Sequence, residues 1–220
     1  MAEHKFYETS IDSDENFEEL IVKNLDKKDI FVTPFYDFEL EIDNDIIKNE
    51  CLDLMKAFPK GVKKSNHGGG WQSDVYELSH ILKNLTPGIQ NLARNAVDLS
   101  NQILEEFKIE YRLDDNSIGW WININTGYGY NVHHTHPGCN LIGLYYPSVP
   151  KNMLDGDGKL HLLRCDALCH NNMFADLPNM CEWAITPKVG HLYIMPSTIA
   201  HYVKPHFSEE TRISIAFNIG

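Results

Sequence analysis

The chain has 220 residues, of which 43% are apolar and 23% charged, and its 31 acidic against 19 basic side chains leave a net charge of −12. Such an acidic chain lacks the basic surface that phosphate backbones and anionic membranes require, so no nucleic-acid partner is expected. Its apolar runs are far shorter than a bilayer span, and the charged residues Glu3 and Lys5 lie close behind Met1, so the sequence predicts a soluble, cytoplasmic protein with no membrane partner.

Residues 1–30 are acidic and polar and read as a loosely held arm with one short helix near residues 17–22. Residues 31–220 read as a single domain, with helical support over about 43–108 and a β-rich core over about 109–220. Within it, residues 30–42 predict one or two strands broken at Pro34. Asp43-Asn44-Asp45 offers an N-cap, and Ile47, Cys51, Leu54 and Phe58 recur at helical spacing until Pro59. The Gly68-Gly69-Gly70 run has no following Lys-Ser/Thr, so it is no phosphate loop. It predicts a mobile loop that closes over a site, with Trp71 as its anchor.

Thr86-Pro87 opens a second helix, a capping hydroxyl before proline at the first helical position. Behind it Ile89, Leu92, Ala96, Leu99, Ile103 and Phe107 form one apolar stripe. From residue 109 the texture is short β-rich runs at 120–125, 141–146, 159–163, 191–195 and 212–217, separated by Gly, Pro and Asn. Helices first and strands after predict a sheet core with helices packed outside it. Five cysteines, at 51, 139, 165, 169 and 181, are an odd number without a secretory leader and read as reduced thiols.

The most informative segment is His133-His134-Thr135-His136-Pro137. Along a strand, residues i and i+2 share a face, so His134 and His136 can reach one metal ion while Thr135 and His133 face away. Gly190 can turn the chain before an alternating run to Met195, Pro196-Ser197 turns it again, and a lone His201 follows. Hairpin-linked strands would bring His201 across from the H-x-H strand. Further on, Ile213, Ile215, Phe217 and Ile219 alternate with Arg212, Ser214, Ala216 and Asn218. If the aliphatic face packs under helices, the polar face lines a cavity. An arginine there needs an anion, and its planar fork matches a carboxylate, with the Ser214 hydroxyl adding a donor.

These stretches, with Trp121-Ile122-Asn123-Ile124, Gly143-Leu144-Tyr145-Tyr146 and Gly70-Trp71-Gln72-Ser73, resemble the Fe(II)- and 2-oxoglutarate-dependent oxygenases. They look closest to a bacterial and bacteriophage branch carrying H-x-H, a later His and R-x-S. The resemblance implies a mainly β protein with flanking helices, a double-stranded β-helix (jelly roll) with the N-terminal helices packed on one sheet. It implies that His134, His136 and His201 bind Fe(II), and that Arg212 with Ser214 holds the distal carboxylate of 2-oxoglutarate. Asn123 and Tyr145 lie on strands expected to line the cavity and to contact that cosubstrate. The implied reaction couples oxidative decarboxylation of 2-oxoglutarate by O2 to hydroxylation of a small-molecule or peptide substrate. The oligomeric state, a homo-oligomer included, is left open.

Position 136 departs from the wider superfamily, where two histidines and one carboxylate hold the iron. Three imidazoles also make a good Zn²⁺ set. Two other readings stay open: a cupin-like metalloprotein without 2-oxoglutarate, against which Arg212 weighs, and a zinc-containing jelly-roll binding protein. For the latter, Cys165, Cys169, His170 and Cys181 could supply a structural site.

Overall fold

In the computed structural model, residues 32–78, 85–151, 154, 156–164 and 182–220 are described. The acidic arm, where the short helix is expected, and the cysteines at 165, 169 and 181 lie outside them. Within residues 32–42 one strand forms, β1 (Tyr36–Glu39), beyond Pro34. Helix α1 (Asn44–Ala57) begins where Asp43 caps it, the Asp43 carboxylate accepting from the Asp45 and Ile46 N–H groups. It buries Ile47, Cys51 and Leu54 and ends at Phe58, before Pro59. Burial of each such aliphatic side chain contributes about 1.5–3 kcal/mol.

The glycine-rich segment is not a free loop. Its two sides are short strands that join different sheets, β2 (Asn66–His67) and β3 (Trp71–Gln72), and β4 (Tyr76–Glu77) follows. Gly68 and Gly69 adopt φ of +65° and +94°, the left-handed turn that glycine alone takes without strain. Trp71 is the expected anchor, buried and donating from Nε1 to the Phe58 carbonyl at 3.0 Å. What the glycines signalled was a turn, and the pairing of its flanks was not legible in them.

Helix α2 (Pro87–Glu106) matches the apolar stripe, with Ile89, Leu92, Ala96 and Ile103 buried. Its cap differs from the sequence reading. The Thr86 side chain makes no capping hydrogen bond. Instead Glu50 reaches across from α1 and its carboxylate accepts from the Gly88 and Ile89 N–H groups, both at 2.8 Å. A carboxylate at a helix N-terminus satisfies orphan donors and complements the macrodipole, so the cap also joins the two helices.

Eight strands then build the core: β5 (Ile118–Asn125), β6 (Tyr130–His134), β7 (Leu141–Ser148), β8 (Leu160–Leu163), β9 (Glu182–Ile185), β10 (His191–Pro196), β11 (Ala200–Val203) and β12 (Arg212–Ile219). One sheet runs β1-β10-β7-β12-β5-β3, with β4 also on β5, and the other runs β2-β6-β11-β8-β9. All pairings are antiparallel. From β5 to β12 the chain alternates between the two sheets except at β8 and β9, which pair within the smaller one, and this is the jelly roll with two helices outside it.

Each strand of the larger sheet splits by parity. Ile118, Trp120, Ile122 and Ile124 of β5, with Ile213, Ile215, Phe217 and Ile219 of β12, join Leu92, Ala96 and Leu54 in the core beneath the helices. On the other side Trp121, Leu144, Tyr146, Tyr193 and Met195 pack with Leu160, Leu162 and Val203 of the smaller sheet. The space left between the sheets is where the polar faces of β5 and β12 meet. No helix among the described residues is long and apolar enough to cross a membrane.

Candidate metal centre and anion pocket

Strands β6 and β11 are adjacent, with His134 directly opposite His201 in the register. His136 lies two residues beyond His134, past the strand end. Its backbone N–H donates to the Ser197 carbonyl at 3.3 Å, and the Ser197 hydroxyl donates to the Cys139 carbonyl at 2.6 Å. The segment after H-x-H is therefore fastened to the turn that precedes His201. The result is that one nitrogen from each of His134, His136 and His201 lies within 4.8 Å of the others. Among the described residues this is the one such group of three or more His, Cys, Asp or Glu.

The proton positions follow from the partners. Val132 and Ile199 present backbone carbonyls, which only accept, so His134 Nδ1–H donates to Val132 at 2.7 Å and His201 Nδ1–H to Ile199 at 3.0 Å. His136 Nδ1–H donates to Asn218 Oδ1 at 2.7 Å. Every Nε2 is therefore left as a lone pair, and those of His136 and His201 face each other at 3.3 Å. Two lone pairs so placed repel unless a cation lies between them. Metal–nitrogen bonds near 2.1 Å at octahedral to tetrahedral angles put ligand nitrogens about 3.0–3.4 Å apart. The cluster fits a divalent metal ion, with outer hydrogen bonds that fix each ring.

Burial keeps the three rings neutral. It pulls the pKa of His134 and His136 down, against the opposing hydrogen bonds to Val132 and Asn218. His201 is lowered to about 3, first by burial and then by the neighbouring His134. Trp121 stacks on His136 at 5.4 Å between centroids.

Arg212 begins β12 on the face turned to the inter-sheet space and is 1% exposed. Its Nη2 donates to the Tyr146 hydroxyl at 3.3 Å, and its guanidinium carbon lies 4.9 Å from the Tyr146 ring centroid. Nε and Nη1 are buried without a partner among the described residues. A guanidinium carries its charge at all ordinary pH values, so a buried one lacking an anion is costly. Burial pulls its pKa down accordingly. The same narrow cavity is lined by His134, His136, His201, Ser214 and Asn123, so the unpaired cation and the three lone pairs share one space. On the outer side of His134 and His136 lies a wider vestibule of about 520 Å³, walled by Trp121, Val132, Thr135 and Pro137.

The structure brings together six of the seven residues expected at the site. Tyr145 is the exception. Its hydroxyl donates to Asn44 Oδ1 at 2.6 Å and its ring packs in the core beneath the helices. Strand alternation gives the cavity position to Tyr146 instead. Residues 142–146 are Ile-Gly-Leu-Tyr-Tyr, with no polar contrast to reveal the parity. Asn131 was also missed: its Nδ2 donates to Ser65 Oγ at 3.1 Å and Asn123 Oδ1 at 3.5 Å. Asn218 had been placed on the correct face of β12, but its hold on His136 could not be read from spacing. Elsewhere His161 pairs through Nδ1 with Glu182 and stacks on Tyr202 at 4.6 Å.

Residues 119–218 match the model of a family described as "Putative 2OG-Fe(II) oxygenase", a stretch that contains all three histidines and Arg212. No curated protein matches the chain. Among solved structures, a prolyl-4-hydroxylase of Pseudomonas putida is similar with a TM-score of 0.56 and 12% identity, over 84% of this chain and 91% of that one. A prolyl hydroxylase of Trichoplax adhaerens, in complex with a hypoxia inducible factor oxygen degradation domain peptide fragment, gives 0.58 and 15% over 84% and 82%. A prolyl 4-hydroxylase of Phytophthora capsici gives 0.52 and 16%, over 80% of this chain and 54% of that one. At these identities the likeness is one of fold. The β-rich part of the chain is thus similar to the 2OG-Fe(II) oxygenase family, and the chain shares the fold of these solved structures.

Proposed function

We propose that the chain is an Fe(II)- and 2-oxoglutarate-dependent hydroxylase in which His134, His136 and His201 hold the metal through Nε2. Arg212 receives the distal carboxylate of 2-oxoglutarate on its unpaired Nε and Nη1 edge, with Ser214 as an additional donor. The observation that carries this reading is the buried, anion-less Arg212 in the same cavity as three converging imidazole lone pairs. A metal site alone would serve a cupin-like protein equally well, and it is the cation that calls for a dicarboxylate.

When bound, the iron and cosubstrate supply the oxidising power: O2 and 2-oxoglutarate give succinate and CO2, and one oxygen atom enters the substrate as a hydroxyl. The protein's part is orientation and exclusion of water. Tyr146 holds the guanidinium plane by its hydroxyl and ring face. Asn218, Val132 and Ile199 keep each imidazole proton on Nδ1, so that no Nε2 is consumed by a proton near neutral pH. Asn123 stands in the cavity wall beside Ser214, its partner in the β5–β12 register. The outer vestibule receives the substrate. The similar folds include prolyl hydroxylases, one in complex with a peptide fragment, which supports a peptide, or a small molecule of comparable shape, as the hydroxylated partner.

Succinate release from 2-oxoglutarate tests the reading. The Fe(II)-loaded chain is expected to form succinate slowly without substrate, and the His134→Ala and Arg212→Ala forms to form none above background. Iron bound at the three histidines with no 2-oxoglutarate consumed under air would remove the proposal.

A further inference from the structure

The vestibule outside the histidines is not closed at its far side. Val75, 41% exposed, belongs to its wall and equally to that of a second groove of about 590 Å³. That second groove is lined by Phe58, Pro59, Lys60, Val62, Asp74 and Tyr76. The same two chain segments wall both spaces, 57–65 on one side and 72–76 on the other, tied where Val62 N–H donates to the Gln72 carbonyl at 2.8 Å. Either volume alone lies within the range of about 300–1,000 Å³ that accommodates a small ligand. Two of them meeting at one exposed side chain make a path that a small metabolite would leave half empty.

Charge on this path runs against the rest of the molecule. The chain carries −12 overall, yet the vestibule wall holds Lys64 and no carboxylate, and the second groove holds Lys60 with Asp74 as its single acid. Among the described residues neither lysine makes an ion pair, whereas Lys56 is neutralised by Asp53 at 2.8 Å. The Asp74 carboxylate is partly engaged, accepting from the Val75 N–H at 2.9 Å. Apolar surface comes from Phe58, 48% exposed at the end of α1, and from Pro59, Val62 and Val75. Unpaired cations beside apolar walls fit alternating acidic and apolar side chains on an extended backbone.

Resting on the hydroxylase reading above, we propose that the substrate is an extended acidic peptide segment. Its hydroxylated residue lies in the vestibule, and its flanking acidic and apolar residues dock in the groove of Phe58, Lys60 and Val75. Nucleic acid is the less favoured polyanion, because the groove offers aliphatic and ring surface with only two unpaired cations, inside a strongly acidic chain.

The test pans the Mn(II)- and 2-oxoglutarate-loaded protein against a phage-displayed library of random dodecapeptides, beside the Lys60→Glu and Phe58→Ala forms. Both substitutions lie in the second groove, and 2-oxoglutarate affinity is measured for all three proteins. Wild type is expected to enrich peptides rich in Asp and Glu with interspersed apolar residues. A labelled peptide from that set should bind Lys60→Glu about tenfold more weakly and lose affinity with added salt. Phe58→Ala should relax the apolar preference while keeping the acidic one. No enrichment, enrichment without acidic bias, equal binding by Lys60→Glu, or stronger competition by a single-stranded DNA dodecamer would each overturn the proposal. Loss of 2-oxoglutarate binding by wild type itself would instead strike the hydroxylase reading, so the two failures are distinguishable.

Discussion

Replacing Arg212 by leucine separates a binding role from a structural one, because the two predict opposite signs in two assays. Arg212 is 1% exposed, and among the described residues its side chain donates to the Tyr146 hydroxyl at 3.3 Å while Nε and Nη1 have no partner. In the ligand-free protein the guanidinium therefore carries a desolvation cost with little to offset it. Exchange of such a buried charge for an aliphatic side chain of similar volume is neutral or stabilising, by about 0–3 kcal/mol. The pocket that remains has no partner for the cosubstrate's second carboxylate. Losing one side of a buried charge pair costs about 2–5 kcal/mol, which is about 30- to 4,000-fold in Kd. Urea unfolding of the metal-free protein and calorimetric titration of the Mn(II) form with 2-oxoglutarate read the two effects separately. Arg212→Leu should unfold at equal or higher urea concentration than wild type and bind 2-oxoglutarate at least tens of times more weakly. A variant that is destabilised yet binds the cosubstrate normally would refute the reasoning and make Arg212 a structural residue.

The adjacent tyrosines offer a parity test. Tyr146→Phe removes the hydroxyl that holds Arg212 and should weaken 2-oxoglutarate binding by about 0.5–1.5 kcal/mol, whereas Tyr145→Phe removes the bond to Asn44 and should cost a similar amount of stability with unchanged cosubstrate affinity. Asn218→Leu frees the His136 Nδ1 proton from its acceptor and should lower metal affinity about 10- to 100-fold while the far-ultraviolet circular dichroism is retained. Glu50→Ala deprives the Gly88 and Ile89 N–H groups of their acceptor, where Thr86 supplies no side-chain cap. Denaturant unfolding should show a loss of about 0.5–2 kcal/mol.

How far the site could be read from the amino acids depended on where polar and apolar residues contrast. Strand β12 alternates Arg212, Ser214, Ala216 and Asn218 with aliphatic and aromatic residues, so its cavity face was visible before any pairing was known, and the structure places the first three in the cavity wall and Asn218 against His136. The H-x-H spacing likewise put His134 and His136 on one side. By contrast β7 is apolar on both faces, and Tyr145 and Tyr146 could not be told apart without knowing which neighbours cover them. Long-range partners were equally hidden. Nothing in the Thr86-Pro87 motif shows that Glu50, 38 residues from Gly88, takes over the cap. The glycine-rich turn reads as a loop because its two-residue flanks are too short for a strand pattern, and only their pairing with β5 and β6 makes them strands.

The central claim is that one cavity holds a metal at three histidines and a dicarboxylate at Arg212 together. Anaerobic titration of the metal-free protein with Fe(II) and then 2-oxoglutarate, followed by visible absorption, tests it most directly. A metal-to-ligand charge-transfer band that appears only when both are present, and that is absent in the His201→Ala form, is the predicted result. Iron bound at the histidines with no such band at saturating 2-oxoglutarate would contradict the account.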